Sequence, residues 1–166
     1  HKEFFSDVKK FLETIKKMGI NFIIINPNND FGSSYIFEQY KSFKNMKNFL
    51  LIKSMRFEYY LTLLKNSRFI IGNSSSGIIE APYFGIPSLN LGNRQRNRSF
   101  TNCIKNLEFN KKKIIHYINF FYKKEKRYEK KNIYGTANSE NKFISILKKK
   151  KIWNFKFNKQ FIDIKN

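Results

Sequence analysis

The sequence predicts an α/β fold in which a Rossmann-like parallel sheet carries helices on both faces. Two observations lead to this fold class. Short continuous apolar runs such as Asn21–Ile25 are rich in β-branched residues, which is typical of strands buried on both faces. Amphipathic stretches such as Glu3–Met18, with apolar residues three and four positions apart, lie between those runs. Because helices and strands alternate at short intervals, a doubly wound parallel sheet is expected.

Local patterns define each element in turn. The apolar stripe that contains Phe4, Val8 and Phe11 predicts the first helix, and Gly19 is suited to cap its C-terminus. Clusters of turn-forming residues separate the later elements. In chain order we predict a helix Glu3–Met18, a strand Asn21–Ile25, a helix Ser34–Met46, a strand Phe49–Ile52, a helix Phe57–Lys65, a strand Arg68–Ile71, a short helix through Glu80, a strand Pro87–Leu91, a helix Lys111–Tyr122 and a helix Ser139–Lys149.

The length and apolar content fit a single packed lobe. The chain has 166 residues, of which 41% are hydrophobic, including 19 Phe and 9 Tyr. This suits one domain or one lobe of a larger protein, with enough apolar material for a core. We therefore interpret residues 1–150 as one lobe. The segment 151–166 carries more apolar bulk than a disordered tail would, so we expect it to pack on another surface.

The strong positive charge leaves two interpretations open. Lys and Arg number 33 against 12 Asp and Glu, which gives a net charge of +21. Such an excess suggests nucleic acid or an anionic surface as a partner, so a basic nucleic-acid-binding module is one alternative. AT-rich codons, however, favour Lys, Asn, Ile and Phe together, and the charges are scattered along the chain. We therefore expect solvated basic faces and no nucleic-acid partner.

Other composition features exclude several classes of site. Cys103 is the single cysteine, so an internal disulfide and a cysteine-based zinc site are both excluded. This fits a reducing, cytoplasmic compartment. No apolar stretch is long enough to span a bilayer. We expect a cytoplasmic protein with no membrane partner, no metal and no cofactor.

The segment Gly72–Gly77, GNSSSG, which we call the serine loop, joins a predicted strand to a predicted short helix. In open α/β sheets, ligands bind beyond the carboxyl ends of the strands. The glycines permit close backbone approach, and the hydroxyls of Ser74 and Ser75 can donate to phosphate oxygens. A following helix N-terminus would favour the same anion. The alternative is that the serines only cap that helix.

Two charged residues downstream extend this pattern. Glu80 would lie about one turn into the short helix, where its carboxylate can accept hydrogen bonds from vicinal hydroxyls such as those of ribose. It can equally be an exposed acid that complements the helix dipole. Arg94 begins an arginine-rich loop, and a guanidinium close to the serine loop would complete a phosphate site. A plain basic surface loop is the alternative.

The segment Gly72–Arg98, GNSSSGIIEAPYFGIPSLNLGNRQRNR, resembles the signature of the UDP-N-acetylglucosamine 2-epimerase family. It is most similar to the hydrolysing branch, which makes N-acetylmannosamine and UDP for sialic-acid-type sugars. Asn26–Asp30, NPNND, is similar to the family's Pro-Asn-x-Asp loop. Tyr134–Leu147 and Ile152–Ile164 resemble its C-terminal segments, so the likeness covers most of the chain.

The resemblance implies a fold and a role for the central residues. It implies the C-terminal lobe of a two-lobe, glycosyltransferase-B-like fold, with a UDP-sugar in the cleft between the lobes. By this likeness Ser74 and Ser75 hold the diphosphate, Glu80 holds the ribose hydroxyls, and Arg94 contacts the diphosphate end. The apolar tail would pack back towards a missing N-terminal lobe. The full-length protein would be a homodimer, as related enzymes commonly are.

Three further residues have implied roles in loops that diverge more from the family. Asn28 lies where the family has a polar residue near the substrate. Met55 lies where the backbone faces the uracil, and Tyr60 is close enough in sequence to supply an aromatic surface. The chain also departs from the family at Asn97, where a Gly is usual before the last arginine of the loop.

No catalytic residue is predicted in this chain. By the resemblance, the acids and the base that act at the sugar C2 belong mostly to the N-terminal lobe. His1 is not followed by the proline that the family's His-Pro motif has, and His116 is interpreted as structural or exposed. The alternatives to a hydrolysing epimerase are a non-hydrolysing UDP-N-acetylglucosamine 2-epimerase and a related two-lobe glycosyltransferase.

Overall fold

The computed structural model describes residues 2–28, 32–99, 101–135 and 138–154, without the side chains of Lys2 and Glu3. The chain divides into two compact units, His1–Lys131 and Asn132–Asn166. Several sequence predictions concern residues outside the described ranges, namely His1, the middle of the loop at 26–34 and most of the apolar tail. The boundary predicted after residue 150, and the packing of the tail, therefore stay predictions.

The first unit alternates helices and strands in nearly the predicted order. Its elements are α1 (Lys2–Lys16), β1 (Phe22–Ile25), α2 (Ser33–Tyr40), β2 (Phe49–Ile52), α3 (Phe57–Asn66), β3 (Ile70–Gly72), α4 (Glu80–Phe84), β4 (Ser88–Leu91), β5 (Ile104–Leu107) and α5 (Lys111–Lys123). Two short 3-10 helices, Lys41–Phe43 and Ser75–Gly77, follow α2 and β3 respectively.

All strand pairs in the described residues are parallel. β1 pairs with β2, with Phe22 opposite Phe49. β4 lies between β3 and β5, with Gly72 opposite Asn90 and Asn90 opposite Asn106. Parallel neighbours need crossover connections, which α2 supplies between β1 and β2 and α4 supplies between β3 and β4. The predicted α/β class with parallel strands is confirmed.

Helices cover both faces of the β3–β5 sheet. The larger core cluster joins Leu12 of α1 and Ile118 of α5 to Leu89 of β4. A smaller cluster, formed by Leu64, Ala81 and Ile86, lies against α3 and α4. Successive strand residues point to opposite faces, and accordingly Ile71 packs against the larger cluster and Ile70 against the smaller one. The prediction of helices on both faces is confirmed.

Helix α2 and strand β5 differ most from the sequence prediction. Helix α2 ends at Tyr40, earlier than the predicted Met46, because the 3-10 turn that follows buries Phe43 completely against Phe49, with ring centroids 4.6 Å apart. Strand β5 was not predicted, because its central Lys105 and Asn106 interrupt the apolar pattern. β5 forms a strand because its backbone pairs with β4, although its own sequence has no strand pattern.

The second unit contains one α-helix in its described part, α6 (Ser139–Leu147), and a 3-10 helix, Lys150–Trp153. The indole Nε1 of Trp153 donates to the carbonyl of Leu147 at 2.8 Å, which closes this short helical segment. No helix within the described ranges combines the length and the apolar character that crossing a membrane requires.

Candidate functional site

The carboxyl ends of several strands are joined by side-chain hydrogen bonds at the serine loop. The Tyr60 hydroxyl, from α3, donates to the Oγ of Ser76. The Gln95 Nε2, from the loop after β4, donates to the carbonyl of Asn73 at 3.2 Å. Tyr60 also lines the cleft where β1 ends. The loops after β3 and β4 are therefore in direct contact, and Tyr60 connects the serine loop to the cleft where β1 ends.

The serine loop makes a tight, well-defined turn. Gly72 has φ +146°, a conformation that side chains rarely adopt, and it redirects the chain at the end of β3. Ser74 then caps the 3-10 turn Ser75–Gly77, its Oγ accepting from the backbone N–H of Ser76 at 3.3 Å. A Cβ on Gly77 would lie 2.6 Å from the Oγ of Ser88. Close contact with β4 therefore requires glycine at that position.

The short helix after the serine loop begins later than the sequence predicts. The serines do not run directly into an α-helix, because the 3-10 turn and two further residues precede α4, which has five residues. The helix dipole at the N-terminus of α4, which the sequence predicts to favour an anion, is correspondingly weak because α4 is short. The capping alternative holds for the hydroxyl of Ser74, whereas Ser75 is exposed at the start of the turn.

Glu80 is the first residue of α4, rather than a residue one turn inside a helix. Its side chain is half-buried, and within the described residues its Oε2 is buried without a hydrogen-bond partner. A buried carboxylate oxygen without a partner is energetically costly, so this atom is suited to accept a hydrogen bond from a ligand. The charge of Glu80 also acts on Tyr60.

Asn28 and Met55 lie together in one cleft of about 620 Å³, where β1 and β2 end. Phe57 and Tyr60 form its aromatic wall, with nearly parallel rings whose centroids are 6.4 Å apart. Asn28 is exposed and Met55 is half-buried. The volume and the mixture of aromatic and amide groups suit a planar, polar small molecule.

Burial, with a smaller contribution from the Glu80 charge, raises the pKa of Tyr60, and its hydrogen bond with Ser76 opposes the shift. The net direction is upward, so the hydroxyl stays protonated at neutral pH and remains a donor. The bond from Tyr60 to Ser76 therefore persists throughout the physiological range.

Arg94 lies at a second cleft, of about 630 Å³, which Asn73 of the serine loop also lines. Asn73, Asp7 and Glu108 share this cleft with it, and Arg96 forms a salt bridge with Glu108 at 3.2 Å. The guanidinium of Arg94 is exposed. The structure thus places Arg94 next to the residue that precedes Ser74, whereas Asn28 and Met55 line a different cleft.

Gln95 is a site residue that the sequence did not single out. It is only 3% exposed, and besides donating to Asn73 it accepts from Nη1 of Arg98 at 2.8 Å. Buried amides that satisfy both of their groups fix local geometry. A signal was present, because a glutamine between two arginines is an uncharged exception in a basic loop.

The departure at Asn97 has a clear structural basis. Asn97 has φ +64°, in the left-handed region, and it is the one non-glycine residue with positive φ in the described part of the chain. Asparagine tolerates this conformation better than most residues do. The loop therefore keeps the left-handed turn that a glycine usually forms at this position, with Asn97 in place of the glycine.

His116 is exposed on α5, as the sequence predicts.

Comparison with known proteins identifies the family. Residues 1–148 match the family model described as UDP-N-acetylglucosamine 2-epimerase. The chain belongs to this family. A UDP-N-acetylglucosamine 2-epimerase of Neisseria meningitidis serogroup B is 34% identical over 157 residues, which are 93% of this chain and 41% of that protein.

Two further epimerases complete the comparison. The GDP/UDP-N,N'-diacetylbacillosamine 2-epimerase (hydrolyzing) of Campylobacter jejuni is 36% identical over 102 residues, which are 61% of this chain and 26% of that protein. The crystal structure of the Methanocaldococcus jannaschii UDP-GlcNAc 2-epimerase, in complex with UDP-GlcNAc and UDP, gives a TM-score of 0.69 at 21% identity. It covers 89% of this chain and 41% of that one. At that identity the likeness establishes the fold, and the chain spans about two fifths or less of these relatives.

Proposed function

We propose that this chain is the C-terminal, UDP-binding lobe of a hydrolysing UDP-N-acetylglucosamine 2-epimerase. The observation that carries the proposal is the serine loop, held between an aromatic cleft and an arginine-bearing cleft. Family membership supplies the substrate class. The word "hydrolyzing" in the name of the Campylobacter relative supports the branch. The sialic-acid-type destination of the product rests on the sequence resemblance.

The proposed reaction has two steps. A base removes the C2 proton of the sugar while the C1–O bond breaks, and the electron pair of that bond leaves on a β-phosphate oxygen of UDP. This produces a glycal and UDP. Water then adds across the double bond: the hydroxyl goes to C1, and a proton returns to C2 from the opposite face. The products are UDP and an N-acetylmannosamine-type sugar.

In this scheme the chain stabilises the leaving group. Negative charge grows on the diphosphate as the C1–O bond breaks, and donors that are already in place lower the barrier. The hydroxyls of Ser74 and Ser75 donate to phosphate oxygens, and the guanidinium of Arg94 supplies positive charge. The Oε2 of Glu80, without a partner among the described residues, accepts from the ribose hydroxyls.

The aromatic cleft receives the base. Uracil lies against the ring of Tyr60, and the backbone at Met55 and the amide of Asn28 contact its polar edge. We assign no catalytic residue to this chain, so the groups that move the C2 proton come from the other lobe. The cytoplasmic location and the homodimer expected from the sequence also stay predictions.

The test is calorimetric titration of the chain with UDP. Arg94→Ala is expected to weaken binding about tenfold to a hundredfold, because charge-assisted hydrogen bonds contribute roughly 1.5–3 kcal/mol. The matched control is Arg127→Ala, which removes an exposed arginine outside both clefts and should leave the affinity unchanged. Equal affinities for wild type and Arg94→Ala, in folded proteins, would refute the diphosphate assignment.

The branch is tested by the products. A protein that contains both lobes is incubated with UDP-N-acetylglucosamine, and the products are separated. Release of UDP with free N-acetylmannosamine supports the hydrolysing reaction. UDP-N-acetylmannosamine as the product would identify the non-hydrolysing alternative, and transfer of the sugar to an acceptor would identify a glycosyltransferase.

A further inference from the structure

The Tyr60 side chain connects two parts of the candidate site. Its ring lies on the wall of the aromatic cleft, next to Phe57. Its hydroxyl reaches out of that cleft and donates to the Oγ of Ser76, sixteen residues further along the chain. Tyrosine is the residue that supplies an aromatic face and a terminal donor on one rigid side chain.

Ser76 links the Tyr60 hydroxyl to the rest of the serine loop. Ser76 is buried, with 8% of its surface exposed, so the Tyr60 hydroxyl is a significant part of its polar environment. The backbone N–H of Ser76 in turn donates to the Oγ of Ser74. Two hydrogen bonds, both made by Ser76, therefore connect the aromatic cleft to a hydroxyl proposed to bind the diphosphate.

We propose that Tyr60 is a positioning residue whose hydroxyl fixes the serine loop, so that the loop is preorganised to accept the phosphates of a nucleotide whose base lies on the same ring. This rests on the proposed UDP site and deepens it. The ring acts on the base directly, whereas the hydroxyl acts on the phosphates through Ser76 and Ser74. Preorganisation raises affinity by lowering the ordering cost of binding.

The two functions of Tyr60 are separable with Tyr60→Phe, which keeps the ring and removes the donor. Calorimetric titrations with uridine and with UDP report on the base and on the phosphates respectively. UDP affinity is expected to fall about threefold to tenfold, the range of one neutral hydrogen bond, while uridine affinity stays unchanged. A merely structural role would weaken both ligands equally.

Ser76→Ala removes the acceptor from the other end and should give the same split between UDP and uridine. The double variant, Tyr60→Phe with Ser76→Ala, should be no weaker than either single variant, because both remove the same bond. The matched control is Tyr59→Phe, a neighbouring tyrosine of α3 that is 64% exposed. It should bind both ligands like wild type.

Each outcome decides a distinct question. If wild type binds UDP, and Tyr60→Phe and Ser76→Ala bind UDP and uridine like wild type, the positioning role is refuted while the proposed function stands. If both ligands weaken in parallel, Tyr60 acts through the base or the fold, and the positioning role is again refuted. If folded wild type, with its partner lobe present, does not bind UDP, the proposed function fails, and the inference that rests on it fails with it.

Discussion

The two flanks of the serine loop differ in how they are built. The flank of Tyr60 is aromatic and half-buried, and it touches the loop through one uncharged hydrogen bond. The flank of Arg94 is exposed and carries charges of both signs, and it touches the loop through the buried amide of Gln95. Both flanks hold the loop by a neutral contact, but one lysine, Lys53, lines the aromatic cleft, whereas two arginines and two carboxylates line the other cleft.

This difference separates geometry from electrostatics. A neutral bond between partly buried groups fixes the shape of the loop without attracting an anion. An exposed arginine attracts an anion, and its effect is screened by salt. The buried Gln95 combines these two effects. Its amide fixes the position of the arginine loop, and because the amide is uncharged it does not neutralise the arginines. Substitution of Arg94 should therefore affect the binding of an anion, whereas substitution of a residue that makes a neutral contact should affect the shape and stability of the loop.

The largest effect on stability is expected for Gln95→Ala. This variant leaves the carbonyl of Asn73 and the guanidinium of Arg98 without the contacts that Gln95 now provides. A hydrogen bond contributes about 0.5–1.5 kcal/mol net, so the loss of these two should lower the free energy of unfolding by about 1–3 kcal/mol. Denaturant titration measures it. A loss no greater than that of Gln39→Ala, a partly exposed glutamine of α2, would show that the amide does not anchor the loop.

A smaller effect is expected at Asn97, where the same flank depends on a left-handed backbone. Asn97→Ala should lower the free energy of unfolding by about 1 kcal/mol, the cost of this conformation for a residue with a Cβ. Asn97→Gly is the matched control, and it should remain close to wild type. If alanine and glycine have equal effects in thermal unfolding, the backbone conformation is not what constrains this loop.

The smallest effect concerns Tyr60 at alkaline pH. Because its pKa is raised in the folded protein, the stability linked to its neutral form is complete below the ordinary tyrosine value of about 10. That stability is lost as the pH rises through the folded-state pKa. The difference in unfolding free energy between wild type and Tyr60→Phe should therefore shrink above about pH 10.

The other groups with raised pKa values, Tyr40, Tyr128 and Cys103, are present in both proteins and cancel in this comparison. Urea unfolding at neutral and alkaline pH provides the measurement. A difference that stays constant with pH would mean that the Tyr60 hydroxyl titrates alike in the folded and unfolded chains.

The sequence predicted most helices and strands close to their observed bounds and missed one strand, β5. β2 matches its predicted bounds, because a continuous apolar run indicates a buried strand wherever it pairs. β5 was missed, because Lys105 and Asn106 have no strand signal of their own. In the fold, the Nδ2 of Asn90 donates to the Oδ1 of Asn106 at 2.6 Å, a contact that exists only after β4 and β5 pair.

The candidate site was likewise foreseen only in part. Ser74, Ser75, Glu80 and Arg94 were found because their motif lies within one short segment of sequence. Gln95 was not singled out, since its one local signal, an uncharged residue between two arginines, does not show that its amide is buried. The start of α4 was placed too early, because nothing local shows that a 3-10 turn and two further residues separate the serines from it.

By itself, the sequence determined the α/β class, the order of most elements, the loops that carry polar residues and the family. These follow from hydrophobic periodicity and from a contiguous motif, both of which are local in the chain. The tertiary structure alone decided that Tyr60 bonds to Ser76, that Gln95 bonds to Asn73, and that one oxygen of Glu80 is buried without a partner among the described residues. The physical reason is that these hydrogen bonds join residues far apart in sequence, and burial is a property of the assembled fold.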